Sequence, residues 1–239
     1  MKNILVVGKG KWGRTVIKSL DKISNIKQII NSKVNYKKIS TENIDWVFVL
    51  TPDQTHYKIV EFFLKKKINV FCEKPLTNSY AKALKLIKIS KKKRVKLYID
   101  DIEYYKRKKI DIRKNNFIIR VKKDSGTIES ILNRLTYHDM YLLYPLIGKL
   151  KKLKTIIIDS KNVLNFKLYN TKYNFVFFYN LNSDTREHFI NDVDLTEFHF
   201  DALTIMLKKV LNNKCNFNRN HNVSLFATKL LENVRKKLK

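Results

Sequence analysis

Several residue types are scarce in this chain of 239 residues, and each shortage excludes a class of protein. Two cysteines, Cys72 and Cys215, are too few for a disulfide framework. Because Cys72 lies in an apolar run, we expect it to be a buried free thiol in a reducing compartment. No run of about 18 apolar residues occurs, so no segment is expected to span a membrane. The first residues lack the apolar stretch and cleavage site of a signal peptide, which predicts a cytoplasmic protein.

Acidic residues are also few, since 21 of them stand against 50 basic residues and leave a formal net charge of +29. Such a charge suggests a polyanionic partner. However, 41 of the basic residues are Lys and 9 are Arg, and they are spread along the whole chain. Proteins that read nucleic acids favour Arg for base contacts and interleave aromatic residues on one face. We therefore favour a solvated lysine-rich surface, with nucleic-acid binding as an alternative.

Only five glycines occur, and three of them, Gly8, Gly10 and Gly13, fall within six positions. They follow an apolar strand and open a predicted helix, the context in which Gly-x-Gly-x-x-Gly binds a dinucleotide pyrophosphate. Gly8 permits a tight turn, Gly10 lets the backbone approach the phosphates, and Gly13 lets the helix pack closely on the strand. The motif predicts dinucleotide binding, and an ordinary glycine-rich turn is the alternative.

Apolar strands alternate with amphipathic helices up to about residue 110, which predicts a doubly wound parallel α/β sheet of the Rossmann type. We therefore expect an NAD(P)-binding domain over residues 1–115. The predicted strands cover residues 2–8, 27–31, 45–50, 69–72 and 95–99. The predicted helices cover residues 11–20 and 52–66, and a third begins after an N-cap at Thr77 or Asn78. Only residues 32–44 separate the second and third strands, which leaves little room for a further helix and strand.

The pattern changes after residue 115, because strands then follow one another with little helix between them. Residues 116–239 are predicted to form a shortened α+β domain for substrate binding and dimerisation, with a mostly antiparallel open sheet. Its predicted strands cover residues 117–121, 155–158, 163–168 and 174–179. Its predicted helices cover residues 131–147 and, near the end of the sequence, about 203–211 and 223–234.

Four motifs occur in the order typical of one group of oxidoreductases. They are Gly8-Lys9-Gly10-Lys11-Trp12-Gly13, Thr51-Pro52-x-x-x-His56, Glu73-Lys74-Pro75-Leu76, and His138-Asp139 before a helix that ends at Gly148. The sequence thereby resembles the glucose–fructose oxidoreductase, inositol dehydrogenase and rhizopine-catabolism (Gfo/Idh/MocA) family, more weakly after residue 150. The tryptophan in the glycine motif and the His-Asp pair resemble the branch that acts on nucleotide-linked sugars in polysaccharide biosynthesis.

The resemblance implies an NAD(P)-dependent oxidoreductase that transfers a hydride between nicotinamide and a sugar hydroxyl or keto group. It implies that Lys74 is the catalytic acid/base and that His138 relays a proton or orients the substrate. The implied partners are a small-molecule substrate and a second copy, bound through the C-terminal sheet; no metal is expected. The implied cofactor-binding residues are Gly8, Gly10, Lys11, Trp12, Gly13, Asn31, Ser32, Thr51, Pro52, His56 and Glu73. For His56, a half-buried packing role is the alternative.

Two positions depart from the usual pattern. NAD-binding folds place a carboxylate after the second strand, whereas Asn31-Ser32-Lys33 stands here, which favours NADP over NAD. Arg134 replaces the Asp that family dehydrogenases carry four residues before His138, and a guanidinium pairs with carboxylates or phosphates instead of accepting protons. Arg134 is therefore a candidate for binding an anionic sugar nucleotide. The alternative is a dinucleotide-binding partner or sensor protein with impaired catalysis.

Overall fold

The structure is a computed structural model that describes residues 1–31, 34–106, 109–124, 126–148, 154–160, 163–196 and 201–238. The strands are β1 (Asn3–Val7), β2 (Asn25–Ile30), β3 (Trp46–Val49), β4 (Asn69–Cys72), β5 (Leu97–Ile99), β6 (Asn115–Lys123), β7 (Lys154–Ser160), β8 (Val163–Tyr169), β9 (Asn174–Asn180), β10 (Asn182–Ile190) and β11 (Val193–Asp194). The helices are α1 (Lys11–Asp21), α2 (Asp53–Lys65), α3 (Tyr80–Lys93), α4 (Ile102–Tyr105), α5 (Ile128–Ile131), α6 (Tyr137–Ile147), α7 (Ala202–Leu211) and α8 (Phe217–Lys237).

The chain divides into two compact units, one around each of two sheets. The first unit contains Met1–Tyr105 and Asp201–Lys229, and the second contains Lys106–Phe200 and Leu230–Lys239. These units differ from the predicted division at residue 115, because α7 and most of α8 belong to the first unit. The apolar periodicity of those helices predicts that they exist, but it does not say which sheet they pack against.

The first unit has a parallel five-stranded sheet in the order β2-β1-β3-β4-β5. This confirms the predicted Rossmann-like sheet, and apolar runs such as Val47–Val49 are buried as expected for strands covered on both faces. In the short connection between β2 and β3, the described residues form one 3₁₀ turn, Tyr36–Lys38. One detail of the prediction was wrong: α3 begins at Tyr80 after Ser79, so Thr77 and Asn78 precede its cap.

A stack of aromatic rings joins β3, β4 and β5 on one face of this sheet. The ring centroids of Phe48 and Phe71 lie 4.7 Å apart, and those of Phe71 and Tyr98 lie 6.1 Å apart. Met206 and Leu207 of α7 belong to the same buried cluster, which also includes apolar residues of α1. Helix α2 packs on β3 and β4 without contributing to that cluster, so it covers the opposite face.

The second unit has a six-stranded sheet in the order β11-β10-β6-β9-β8-β7. β6 and β9 run parallel, and the other neighbours are antiparallel, which confirms a mostly antiparallel sheet. β10 was not predicted because its first residues, Asn182–Glu187, are polar and mostly exposed. Its last residues, Glu187–Ile190, pair in register with β6, and that pairing depends on contacts remote in sequence.

The predicted helix 131–147 corresponds to three consecutive elements. It begins at the last residue of α5, passes through a π-helical turn, Leu132–Thr136, and continues as α6. A π turn inside a helix rotates the residues that follow it and often occurs at functional sites. Among the residues that the structure describes, no helix combines the length and the apolar character needed to cross a bilayer.

Leu207→Ala is expected to destabilise the first unit by about 2–5 kcal/mol, because the side chain is fully buried against the sheet. The test is urea unfolding followed by tryptophan fluorescence. Both tryptophans, Trp12 and Trp46, lie in the first unit and therefore report its unfolding. Lys208→Ala on the exposed side of α7 is the matched control and should change the free energy of unfolding by less than about 0.5 kcal/mol. Equal effects of the two variants would contradict the packing of α7 on this sheet.

Candidate functional site

The candidate site of the first unit lies along the carboxyl edge of its sheet, where β1, β3, β4 and β5 end. One backbone hydrogen bond beyond each strand keeps these ends level: Gly8 N to Ile30 O (2.8 Å), Leu50 N to Val7 O (2.8 Å), Glu73 N to Val49 O (3.0 Å) and Asp100 N to Cys72 O (2.9 Å). Ligands of open α/β sheets bind at this edge. The residues that follow these strands are therefore the candidates for chemistry.

The glycine loop (Gly8–Gly13) is shaped by two glycines that the protein itself requires. Gly8 has φ +106°, and a Cβ there would lie 2.5 Å from the carbonyl oxygen of Leu50. A Cβ on Gly13 would lie 2.9 Å from the carbonyl oxygen of Gly8. Both glycines therefore do what the motif predicts: the first makes the turn, and the second brings α1 close to the strand.

Gly10 differs from these two glycines, because a Cβ on it would meet no protein atom within 4 Å. It is exposed and occupies the N-cap position of α1, where no side chain makes a capping hydrogen bond. The first turn of α1 contains no acidic residue that would repel an anion. The protein's own packing gives no reason for a glycine here, whereas a pyrophosphate lying against the loop would give one. The loop therefore fits a dinucleotide.

Lys74 is a buried lysine, with only 6% of its surface exposed, and it follows β4 by two residues. Burial raises the pKa of the neighbouring Glu73 to about 8, Lys74 opposes this rise, and Asp100 and Asp53 add to it. Glu73 therefore holds a proton at neutral pH. Asp100 also interacts electrostatically with Lys74, which lowers the pKa of Asp100 against the rise that burial causes.

His56 is completely buried at the start of α2 and joins the loops that follow β3 and β4. Its Nδ1 lies 2.7 Å from the carbonyl oxygen of Pro75, and its Nε2 lies 2.7 Å from that of Thr51. Burial lowers the pKa of His56, although both carbonyl groups act to raise it. The ring joins the backbone of Pro75, next to Lys74, to that of Thr51 after β3, and it is more deeply buried than the half-buried packing role supposes. Pro52, next to Thr51, is exposed.

Asp100 and Asp101 follow β5, and the sequence analysis did not include them. Both are 2% exposed. Asp100 Oδ2 accepts from the indole Nε1 of Trp12 at 3.3 Å, and its Oδ1 accepts from the backbone N of Ile102 at 3.0 Å. Asp101 instead accepts from the hydroxyl of Tyr98 at 2.5 Å. The signal that could have found them is their position directly after a buried strand at the ligand edge.

The remaining predicted cofactor residues of the first unit lie near the same loop or outside the described residues. Lys11, at the start of α1, is exposed, and Asn31, directly after β2, is partly buried. Ser32, and Lys33 after it, lie outside the described residues. Within the described ranges, no cluster of three His, Cys, Asp or Glu side chains is suited to hold a metal ion.

The His-Asp pair belongs to the second unit, at the start of α6. His138 is partly buried, whereas Asp139 is completely buried and faces the sheet. Asp139 Oδ1 lies 2.9 Å from Arg120 Nη1 and 2.8 Å from His188 Nε2. Burial alone would raise the pKa of Asp139, but the charges of His188 and Arg120 lower it. This buried ion pair anchors α6 to β6 and β10 and so holds His138 in place.

Arg134 lies in the π-helical turn and is exposed, and its guanidinium pairs with Asp124 after β6. Lys122 Nζ lies 3.2 Å from the same carboxylate oxygen. The carboxylate with which this arginine pairs is therefore that of Asp124, within the same chain. Asp124, Arg120 and His188 were missed by the sequence analysis, because only the folded sheet brings them to these helices.

The match to a known sequence family lies in the first unit. The sequence model of an oxidoreductase family, Gfo/Idh/MocA, with an NAD-binding Rossmann fold, matches residues 23–100. An uncharacterized oxidoreductase, YgjR of Escherichia coli K12, is 34% identical over 58 residues, which are 24% of this chain and 18% of that protein. The chain therefore matches less than a fifth of that relative's length.

Solved structures extend the likeness in fold to both units. A UDP-N-acetylglucosamine 3-dehydrogenase of Acidithiobacillus ferrooxidans has a TM-score of 0.82 at 13% identity, covering 98% of this chain and 97% of that one. A putative myo-inositol dehydrogenase of Sinorhizobium meliloti has a TM-score of 0.76 at 13% identity, with coverages of 99% and 98%. The WlbA dehydrogenase of Thermus thermophilus, solved with NAD and UDP-GlcNAcA, has a TM-score of 0.73 at 13% identity, with coverages of 97% and 95%. Identities this low establish the fold alone.

Proposed function

We propose that the protein is an NAD(P)-dependent oxidoreductase that acts on a sugar hydroxyl or keto group. Residues 23–100 match the NAD-binding Rossmann fold of the Gfo/Idh/MocA oxidoreductase family. The observation that carries this proposal is the glycine loop, in which Gly10 leaves open space that no protein atom fills. Two structural neighbours are a UDP-N-acetylglucosamine 3-dehydrogenase and a dehydrogenase solved with UDP-GlcNAcA, which supports a nucleotide-linked sugar as the substrate class. When bound, the nicotinamide supplies the hydride acceptor or donor.

Lys74 is proposed as the acid/base. Its ammonium Nζ would donate a proton to the sugar oxygen when hydride reduces the keto carbon, and the amine would take the proton back when the hydroxyl is oxidised. Burial strengthens its attraction to a developing alkoxide, because little water competes for the charge. The hydrogen bond between His56 and the carbonyl of Pro75 fixes the backbone next to Lys74. Glu73, protonated at neutral pH, can donate a hydrogen bond to the cofactor's ribose.

His138 and Arg134 of the second unit are proposed for roles at the substrate. His138 would relay a proton or orient the sugar, and the anchoring of Asp139 to the sheet keeps its helix turn in place. Arg134 would bind an anionic part of a sugar nucleotide, in exchange with or beside its pair to Asp124.

NADP is proposed as the preferred cofactor. Asn31 follows β2 at the position where NAD-binding folds carry a carboxylate for the ribose hydroxyls. Without that carboxylate, a 2′-phosphate meets no repulsion from this side chain. Tighter binding of NADH than of NADPH would contradict this preference.

Gly10→Ala is expected to weaken NADPH binding by about tenfold or more while leaving the free energy of unfolding nearly unchanged, because the new methyl group meets no protein atom. The measurement is a titration of nicotinamide fluorescence at physiological salt, together with urea unfolding. Gly8→Ala is the contrasting variant and should lower stability, since its Cβ would collide with the carbonyl of Leu50. Unchanged NADPH affinity in Gly10→Ala would refute the assignment of the loop.

Lys74→Met is expected to lower kcat by about 10²–10⁴-fold on a sugar-nucleotide substrate, because it removes the proton donor but keeps the length of the side chain. Cofactor affinity should stay within a few-fold. Lys88→Met, at an exposed lysine of α3, is the control and should keep the activity of the parent chain. Undiminished turnover in Lys74→Met would remove Lys74 from the mechanism. A parent chain that binds NADPH but turns over no sugar nucleotide would favour a cofactor-binding partner or sensor protein instead.

A homodimer through the outer face of the second sheet is proposed as the assembly. Phe117, Ile119 and Phe178 are exposed on this face, and Ile119 stands opposite Phe178 on the neighbouring strand. Phe189 of β10 stands opposite Ile119 on the other side and is partly buried. This apolar row crosses three adjacent strands, and a two-fold axis would place it against the same row of a second copy.

Phe178→Lys is expected to shift the protein from dimer to monomer, because it places a charge at one end of the apolar row. Analytical ultracentrifugation over a range of protein concentrations measures the shift. Leu146→Lys, at an exposed apolar position on α6, is the control and should leave the mass unchanged. A parent chain that is monomeric at all concentrations would rule out the proposed dimer.

A further inference from the structure

We propose that Asp100 is a positioning residue that links the glycine loop to Lys74. Its carboxylate accepts a hydrogen bond from Trp12 in the loop, and Asp100 follows the strand next to the one that Lys74 follows. This inference rests on the proposed function for its catalytic meaning, but the link itself can be measured without turnover. No motif of the sequence points to Asp100.

The position of Asp100 follows from the sheet. Cys72, the last residue of β4, stands opposite Ile99, the last residue of β5, in the parallel register. The hydrogen bond from Asp100 N to Cys72 O (2.9 Å) extends this ladder by one residue. Asp100 and Lys74 therefore follow neighbouring strands, one and two residues beyond their ends. The backbone hydrogen bonds between β4 and β5 therefore fix the distance between the backbone of Asp100 and the backbone of Lys74.

The carboxylate is held by two donors from different elements. Oδ1 accepts from Ile102 N at the start of α4, and Oδ2 accepts from the indole of Trp12 on α1. Trp12 itself packs against the buried cluster of the first unit, so its ring is a rigid part of the glycine loop. A displacement of the loop therefore moves a hydrogen bond of the carboxylate that interacts electrostatically with Lys74.

The charged and titratable groups around Asp100 come from several elements. Lys74 lowers the pKa of Asp100, and so does the hydrogen bond from Trp12, whereas burial and Glu103 of α4 raise it, with a net rise. Glu73 after β4 and the neighbouring Asp101 also feel the charge of Asp100. Three of these neighbours are acids, and Lys74 is the cation among them that favours the ionised form of Asp100.

The chain offers a matched control in the next residue. Asp101 is equally buried, yet its carboxylate pairs with Tyr98 and with Arg219, whose Nη1 lies 3.3 Å from Oδ2. Asp101→Asn removes the same charge at the same depth without touching Trp12. A purely structural effect of losing a buried carboxylate would therefore appear in both variants, while loss of the link would appear in Asp100→Asn alone.

The experiment follows the fluorescence of Trp12 against pH in the cofactor-free protein. Trp46→Phe removes the other tryptophan of the chain; if that variant does not fold, the difference in emission between the parent chain and Trp12→Phe isolates the same signal. We expect a step with a midpoint above the ordinary range of Asp, because the net pKa of Asp100 is raised. Asp100→Asn should abolish the step, and Asp101→Asn should keep it. If titration of Glu73 causes a second fluorescence step near its own pKa, Glu73→Gln should remove that step and leave the step of Asp100 in place.

Lys74→Met tests the other half of the link. Loss of the ammonium charge should move the midpoint of the Trp12 step upward by about one pH unit, because an opposite charge no longer favours the carboxylate. The exposed control Lys88→Met should leave the midpoint in place. A step that survives Asp100→Asn, or a midpoint that does not move in Lys74→Met, would overturn the proposal.

Turnover distinguishes this proposal from the proposed function. With an active parent chain, Asp100→Asn should lower kcat about tenfold and leave KM within about threefold, since Lys74 acts on the reacting oxygen and not on substrate affinity. Asp101→Asn should keep the parent kcat. An inactive parent chain would speak against the oxidoreductase function, while the fluorescence titration would still decide the role of Asp100.

Discussion

The alignment of strand ends by the parallel hydrogen-bond ladder is the constraint on which the candidate site depends. Gly8, Leu50, Glu73 and Asp100 each donate one hydrogen bond to the neighbouring strand just beyond a strand end. Side chains alternate between the faces of a sheet, so a slip of one residue in β4 would exchange the faces of its side chains and shift Lys74. Exact register thus matters more here than any single contact of a functional side chain. The aromatic stack of β3, β4 and β5 supports that register from within the core.

Most of the first sheet could be predicted because its signals are local. The apolar runs of β1, β3 and β4 are uninterrupted, and turn residues follow each of them. The roles of Gly8 and Gly13 also follow from the motif, and the contacts that a Cβ would make agree with them. What could not be predicted is the partner of each element. Helix α7 is plainly amphipathic, but nothing local indicates that it packs more than a hundred positions back along the chain, against β-strands of the first unit.

The same limit explains which site residues were missed. Lys74 lies in a recognisable tripeptide, whereas the meaning of Asp100 depends on Trp12, 88 positions earlier. The edge strand β5 shows this most clearly. Asn220 of α8 accepts from the backbone N of Ile99 at 2.9 Å and donates to its carbonyl oxygen at 2.7 Å, so one side chain replaces a missing neighbouring strand. No periodicity in the sequence reveals such a pair, because 121 positions separate its members.

The charge of the whole chain and the charge of the candidate site have opposite signs, and this decides how far composition informs function. The chain carries a net charge of +29, mostly from exposed lysines, whose fields fall off within about 10 Å at moderate salt. At the carboxyl edge, Asp100, Asp101 and Glu103 are buried beside Lys74 and Arg219. Water screens these groups poorly, so each sets the protonation of its neighbours. Lys74 and Arg219 balance part of the negative charge of these acids, and raised pKa values reduce the rest. The proton on Glu73 and the ammonium of Lys74 therefore depend on each other. The protonation states at this edge are therefore governed by a few buried groups, and the lysine-rich surface contributes little to them.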